Sequence, residues 1–201
     1  MDLYGLLGTE DHPAYRDFEV ENNTRLHGFM RSAVISAIAV HRPVLSRQII
    51  CALNFHAIAC LHGGAGLYRP CAVSAGLFQP PEFHQVPELM DDFVNMVNRW
   101  WAETNPVVLA THVLWRLSYI HPFINGNGRT ARAAAYYVLC AASGAWLPGS
   151  VLLPELLTRH RKDYIEALRR ADQSHREGKV DLTPLHSLVQ RLLVEQLSSV
   201  D

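Results

Sequence analysis

His121-Pro122-Phe123-Ile124-Asn125-Gly126-Asn127-Gly128-Arg129-Thr130-Ala131-Arg132 is the stretch on which the reading of this chain turns. It runs in the order base, glycine loop, cations. Glycines let a backbone turn sharply and bring its N–H groups close to a ligand, and successive N–H groups in such a turn make a nest for anions. Apolar, helix-forming residues follow, from Ala131 and Ala133 to Val138 and Leu139. The loop is therefore expected to open onto a helix N-terminus, which adds partial positive charge. Arg129 and Arg132 are three residues apart and share one face of that helix. Their planar donor forks suit phosphate oxygens. His121, with an ordinary pKa of about 6.5, suits proton abstraction near neutral pH. The pattern is neither a Walker A loop nor GxGxxG. On spacing alone it is a phosphate loop beside a base, or a plain turn followed by a solvated helix face.

Outward from this loop the patterns are helical. Asn23 to Val40 ends in an apolar run, and Ser46 is placed to cap a helix reaching Cys60. Pro87 suits the first turn of a helix from Val86 to Trp101, whose Leu89, Phe93 and Val97 recur every four residues. Pro106 opens a helix to Ile120, and the helix after the loop runs from about Gly128 to Ala142. Pro154 and Pro184 suit the first turns of two more, with Thr183 as the cap of the second. Tyr68 to Pro81 breaks the helical rhythm. Gly76 can turn the chain between short apolar pieces, giving a β-hairpin or an ordinary loop.

With 201 residues, 49 % of them apolar, the chain suits one domain over 1–201 with a sizeable core. The net charge of −1 offers no basic excess for nucleic acid, so phosphate affinity would be local. No stretch is long and apolar enough to span a bilayer. Met1 to Gly5 lacks the basic and apolar marks of a secretory leader. Cys51, Cys60, Cys71 and Cys140 show no C-x-x-C spacing, so neither zinc nor a disulfide framework is expected. Reduced cysteines fit a cytoplasmic protein, or one delivered into the cytosol of a host cell.

The order His-Pro-Phe-x-x-Gly-Asn-Gly-Arg-x-x-Arg over 121–132 resembles the signature of the Fic family, His-Pro-Phe-x-(Asp/Glu)-Gly-Asn-Gly-Arg-x-x-Arg. The resemblance extends over roughly Val20 to Leu193, and 121–132 is its diagnostic part. It implies an all-α, Fic-type bundle of about six to eight helices with a small β-hairpin flap over the active site. Within it lie an N-terminal segment (1–24), the flap (68–81), the loop and helix start (121–132) and C-terminal helices (154–201). The implied activity is transfer of AMP from ATP to a Ser, Thr or Tyr hydroxyl of another protein. His121 would be the general base and Phe123 the buried anchor of the loop. The backbone of Gly126, Asn127 and Gly128 would cradle the phosphates, with the Asn127 amide donating to one. Arg129 would meet the α- or β-phosphate and Arg132 the γ-phosphate.

The flap follows Gly66-Leu67-Tyr68-Arg69, and the resemblance places Ala75, Gly76, Leu77 and Phe78 over the nucleotide. A target protein would present its hydroxyl through an extended segment paired with the flap. Tyr164 and Asp172 match positions near the nucleoside, though Asp172 stands where many members have Asn; as bare residues they read as a core aromatic and a surface acid. The family's acidic metal position is Asn125 here, a neutral ligand, so Mg²⁺ is expected to bind more weakly, largely through phosphates and water. Asp17-Phe18-Glu19-Val20-Glu21-Asn22 resembles the family's inhibitory (Ser/Thr)-x-x-x-Glu-(Gly/Asn) helix, with Asp17 in the Ser/Thr place. Glu21 would then occupy Arg132. An antitoxin or a second copy are further partners that this implies. Phosphorylating relatives carry Ala and Lys in place of the first Gly and the Arg, so Gly126 and Arg129 favour AMP transfer over phosphate transfer. A weakly active, regulated binding protein is the third reading, left open by Asn125.

Overall fold

Apolar stripes at helical spacing decide the architecture. In this computed structural model, residues 2–41, 44–74, 76 and 78–199 are described. Among them are nine α-helices: α1 (Leu3–Leu7), α2 (Pro13–Ala39), α3 (Arg47–Ile58), α4 (Val86–Trp100), α5 (Pro106–Ile120), α6 (Asn127–Ser143), α7 (Leu153–Arg159), α8 (Arg161–Arg176) and α9 (Thr183–Ser198). They include α1, which is too short to carry a periodic signal, and the helix that Pro154 opens is divided at His160 into α7 and α8. The helical stops and starts follow local chemistry. Ser46 Oγ accepts the Ile49 N–H at 3.1 Å, Asn105 Oδ1 accepts the Val107 N–H at 2.9 Å, and prolines stand in the first turns of α2, α4, α5, α7 and α9. At α9 the helix starts at Thr183 itself, and Asp181 Oδ1 accepts the Thr183 N–H at 2.9 Å.

α6 is the central element. Ala131, Ala133, Ala134, Ala135, Tyr136, Tyr137, Val138 and Leu139 are all buried in it. A helix apolar all round must be enclosed, and α5, α2, α3 and α7 pack against it. Its alanines have no long side chain to keep the neighbouring helices away. α2 begins ten residues earlier than its apolar pattern suggests. Its buried stripe (Tyr15, Asn22, Leu26, Met30, Val34, Ala37) includes a polar residue, Asn22, whose amide donates to the Ala59 carbonyl at 2.9 Å. No helix is long and apolar enough to cross a membrane among the described residues.

The expected β-hairpin over 68–81 does not appear as strands among the described residues. Tyr68 forms one isolated antiparallel bridge with Phe123. Gly76 turns the chain at φ 63°, while Ala75 and Leu77 lie outside the described residues. The base of the segment is held by the Arg69 side chain, which donates to the Cys71 and Pro81 carbonyls.

Candidate active site

Three polar side chains lock the loop between α5 and α6. Asn127 spends both ends of its amide on Phe123. Its Oδ1 accepts the Phe123 N–H at 2.9 Å and its Nδ2 donates to the Phe123 carbonyl at 2.8 Å. The Asn127 side chain, expected to donate to a phosphate, is instead a buried brace, and Phe123 is fully buried beside it. Asn54 of α3 donates to the Asn125 carbonyl at 2.9 Å and to Thr130 Oγ1 at 3.2 Å, and accepts the Gly66 N–H at 2.9 Å. Arg69, 3 % exposed, donates from Nε to the His121 carbonyl at 2.8 Å, and from its terminal nitrogens to the Cys71 and Pro81 carbonyls. Its backbone N–H also bonds the Pro122 carbonyl at 2.9 Å. One guanidinium thus ties both ends of the 71–81 segment to the turn that carries His121. Sequence reading passed over Asn54 and Arg69. A signal existed for each: an amide inside the apolar run of α3, and the lone charge between Tyr68 and Pro81.

This bracing fixes unusual backbone. Gly126 adopts φ 74°, and a Cβ there would stand 2.6 Å from Ile58 Cγ2. His121 closes α5 in the left-handed region, at φ 51°. Such a conformation is uncommon outside glycine and concentrates at functional sites. The His121 Nδ1 lies 3.2 Å from the Ser118 carbonyl. A carbonyl only accepts, so the proton sits on Nδ1 and Nε2 keeps its lone pair. Burial pushes the imidazole pKa below its ordinary value; the Ser118 bond opposes this and the Arg69 charge adds to it. His121 is therefore a neutral base at neutral pH.

His121 opens onto a cavity of about 1090 Å³. Gly126, Asn127 and Gly128 form part of its wall, at the start of α6. The N-cap, Gly126, supplies no capping side chain. The first N–H groups of the helix, which have no partner within it, are thus available to an anion. Arg129 and Arg132 share this wall as their spacing predicts. Arg129 sends one nitrogen to Asn125 Oδ1 at 3.2 Å and holds another 2.8 Å from Glu19 Oε1, close but without hydrogen-bond alignment. Tyr164 acts on Arg132 from close by, and its hydroxyl lies 3.4 Å from Ser118 Oγ.

The N-terminal segment reaches the same cavity by a route the sequence did not indicate. Glu21, matched to the inhibitory glutamate, is exposed and pairs with Arg25 at 3.3 Å, one turn along α2. It does not meet Arg132. Glu19 meets Arg129 instead, and Glu10 accepts the Asn125 amide at 2.8 Å. α1 is held in place by backbone bonds from Leu3 to the Cys60 carbonyl and from Tyr4 to the Leu61 carbonyl. Neither Tyr164 nor Asp172 lines the cavity. Tyr164 is buried, and Asp172 Oδ1 accepts the Trp115 indole N–H at 2.9 Å. Both serve packing in this conformation, against the expectation that they lie near a nucleoside. Phe78 packs on the Tyr119 ring at 5.8 Å, and among the described flap residues Ser74 lines the cavity. Among the described residues no three His, Cys, Asp or Glu side chains gather as a metal site.

A helical bundle wrapped around a buried central helix, with a braced histidine turn and an anion nest at that helix's start, defines the class. The Fic/DOC family profile matches residues 44–139. A Fido domain-containing protein of Dictyostelium discoideum is 31 % identical over 118 residues, which covers 57 % of this chain and 76 % of that protein. The chain belongs to the Fic/DOC family. A protein adenylyltransferase Fic of Nematostella vectensis is 33 % identical over 115 residues, covering 54 % of this chain and only 24 % of that longer protein. The fold also matches a Fic domain-containing signaling protein from Bacteroides thetaiotaomicron, with TM-score 0.72 and 22 % identity over 98 % of this chain and 76 % of that one.

Proposed function

We propose that this Fic-family transferase is a protein adenylyltransferase, moving AMP from ATP to a Ser, Thr or Tyr hydroxyl of a target protein. The observation that carries the reading is a neutral histidine with a free Nε2 on the wall of the cavity that also holds the α6 N-terminus, Arg129 and Arg132. The name of the Nematostella vectensis relative points the same way. His121 Nε2 takes the proton of the target hydroxyl, which is a poor nucleophile until that proton leaves. The oxygen attacks the α-phosphorus, the bond to the bridging oxygen breaks, and pyrophosphate departs with that electron pair. The N–H groups at the start of α6 and the two guanidinium groups balance its charge, so catalysis is chiefly positioning and electrostatics. An extended target segment would present the hydroxyl along the 71–81 flap.

Asn125 Oδ1, once released by Arg129, and the Glu10 carboxylate are the protein oxygens that would hold Mg²⁺, which takes few of them when phosphates and water supply the rest. Bound there, the ion would lower the charge repulsion between donor and nucleophile. Restraint on the site comes from Glu19 rather than Glu21, because a phosphate that takes Arg129 must displace Glu19. Cytosolic placement, in the cell that makes the protein or in a host, is part of this proposal.

Incubation with α-labelled and γ-labelled ATP and a protein acceptor, with His121→Ala as control, tests the reading. Label from the α-phosphate alone, lost in His121→Ala, is expected. Label from the γ-phosphate would make it a phosphotransferase, and no label would leave a binding protein.

A further inference from the structure

Arg161 lines the same cavity as Arg129 and Arg132, although it lies outside the 121–132 stretch, at the first position of α8. Arg132 loses basicity chiefly through burial, and the charges of Arg129 and Arg161 act on it in the same direction. Each carboxylate on the cavity wall is taken elsewhere. Glu10 holds Asn125, Glu19 holds Arg129, and Glu155 holds Arg159. Among the described residues neither Arg132 nor Arg161 joins a salt bridge. Two guanidinium groups thus line one cavity with no carboxylate of the described residues within salt-bridge reach of either, in a chain whose net charge is −1. Like charges so placed repel, and an anion between them relieves the repulsion. The α8 N-terminus adds to the field, since its N-cap, His160, supplies no capping side chain.

We propose that Arg161 is a third phosphate-binding cation, which with Arg132 forms the subsite for the terminal phosphate of a triphosphate donor. The α6 N-terminus and Arg129 take the phosphates nearer the reacting centre, and the Arg132–Arg161 pair takes the one farthest from it. A diphosphate bound at α6 leaves that pair empty. Arg161 therefore sets the preference for triphosphate over diphosphate. The inference rests on the nucleotide reading above for which phosphate is which, and on the cavity alone for the anion.

Calorimetric titration of the full chain with a non-hydrolysable ATP analogue, ADP and inorganic tripolyphosphate tests it, using wild type, Arg161→Gln and Arg161→Lys. Arg161 is exposed, so both variants are expected to melt with the wild type. Loss of one charge-assisted phosphate contact should weaken the ATP analogue and tripolyphosphate roughly tenfold in Arg161→Gln. ADP should stay within about twofold, and Arg161→Lys should fall between. Unchanged triphosphate affinity, equal losses for ATP analogue and ADP, or a wild type that binds none of the three would overturn the proposal. If tripolyphosphate binding depends on Arg161 while no AMP is transferred, the subsite stands and the adenylyltransferase reading falls.

Discussion

His121 and Gly126 show how single residues are committed to the site. The pKa of His121 is lowered, so its base form persists below the ordinary imidazole value of about 6.5. The acid limb of kcat/KM should therefore be centred below pH 6.5, with more than half of the activity retained at pH 6.5; a limb centred above that value would show that His121 is not held as described. At Gly126 both backbone and space are spent. The positive φ disfavours any side chain by about 1–2 kcal/mol, and the added methyl would meet Ile58 at 2.6 Å. Gly126→Ala should lower the thermal midpoint by several degrees and abolish transfer, since Asn125 and the α6 N-terminus move with it. A variant of unchanged stability and activity would show the loop to be pliable. The glycines and His121 were legible in the sequence because their chemistry is local. The Asn127 brace was not, because nothing local says that its amide faces Phe123 rather than the ligand.

At the scale of elements, the N-terminal segment and the flap depend on contacts across long stretches of chain. The Glu19–Arg129 pair is partly exposed, with side-chain exposures of 40 % and 15 %. Pairs of that kind are worth about 0.2–1 kcal/mol, so Glu19→Gln should tighten ATP binding by up to about fivefold. Glu21→Gly should leave it unchanged, since Glu21 holds only Arg25. Equilibrium nucleotide titration of both variants decides between them; the reverse result would restore Glu21 as the inhibitory residue. The start of α2 escaped sequence reading because Arg16 to Asn23 is mostly polar; its inward residues are Phe18 and Asn22, and Asn22 is buried by bonding the Ala59 carbonyl. In the flap, the described residues show no strand ladder. The Cys71 and Pro81 carbonyls, at the two ends of the 71–81 segment, are satisfied by Arg69.

Across the whole molecule, the contact between α4 and α5 is where a histidine is buried among aromatic rings. His112 lies against the rings of Phe93, Trp100 and Trp115, its Nε2 has no partner, and burial, with Arg116, pulls its pKa down to about 4. The unfolded chain therefore takes up this proton first. Its contribution to stability is complete above pH 6.5 and lost as the pH falls toward 4, by about 3 kcal/mol at most. Urea unfolding at pH 7 and 4.5 should show this loss, reduced in His112→Phe; an equal loss in the variant would place its origin elsewhere. The sequence by itself determined the helical class, the positions of α3 to α6 and the base–loop–cation order, because periodicity, caps and glycines act within a few residues. Only the tertiary structure decided that Arg69 and Asn54 brace the loop, that Glu19 rather than Glu21 meets an arginine of the 121–132 stretch, and that Arg161 lines the same cavity. Those contacts join residues tens of positions apart, and it is the packing around α6 that brings them within reach.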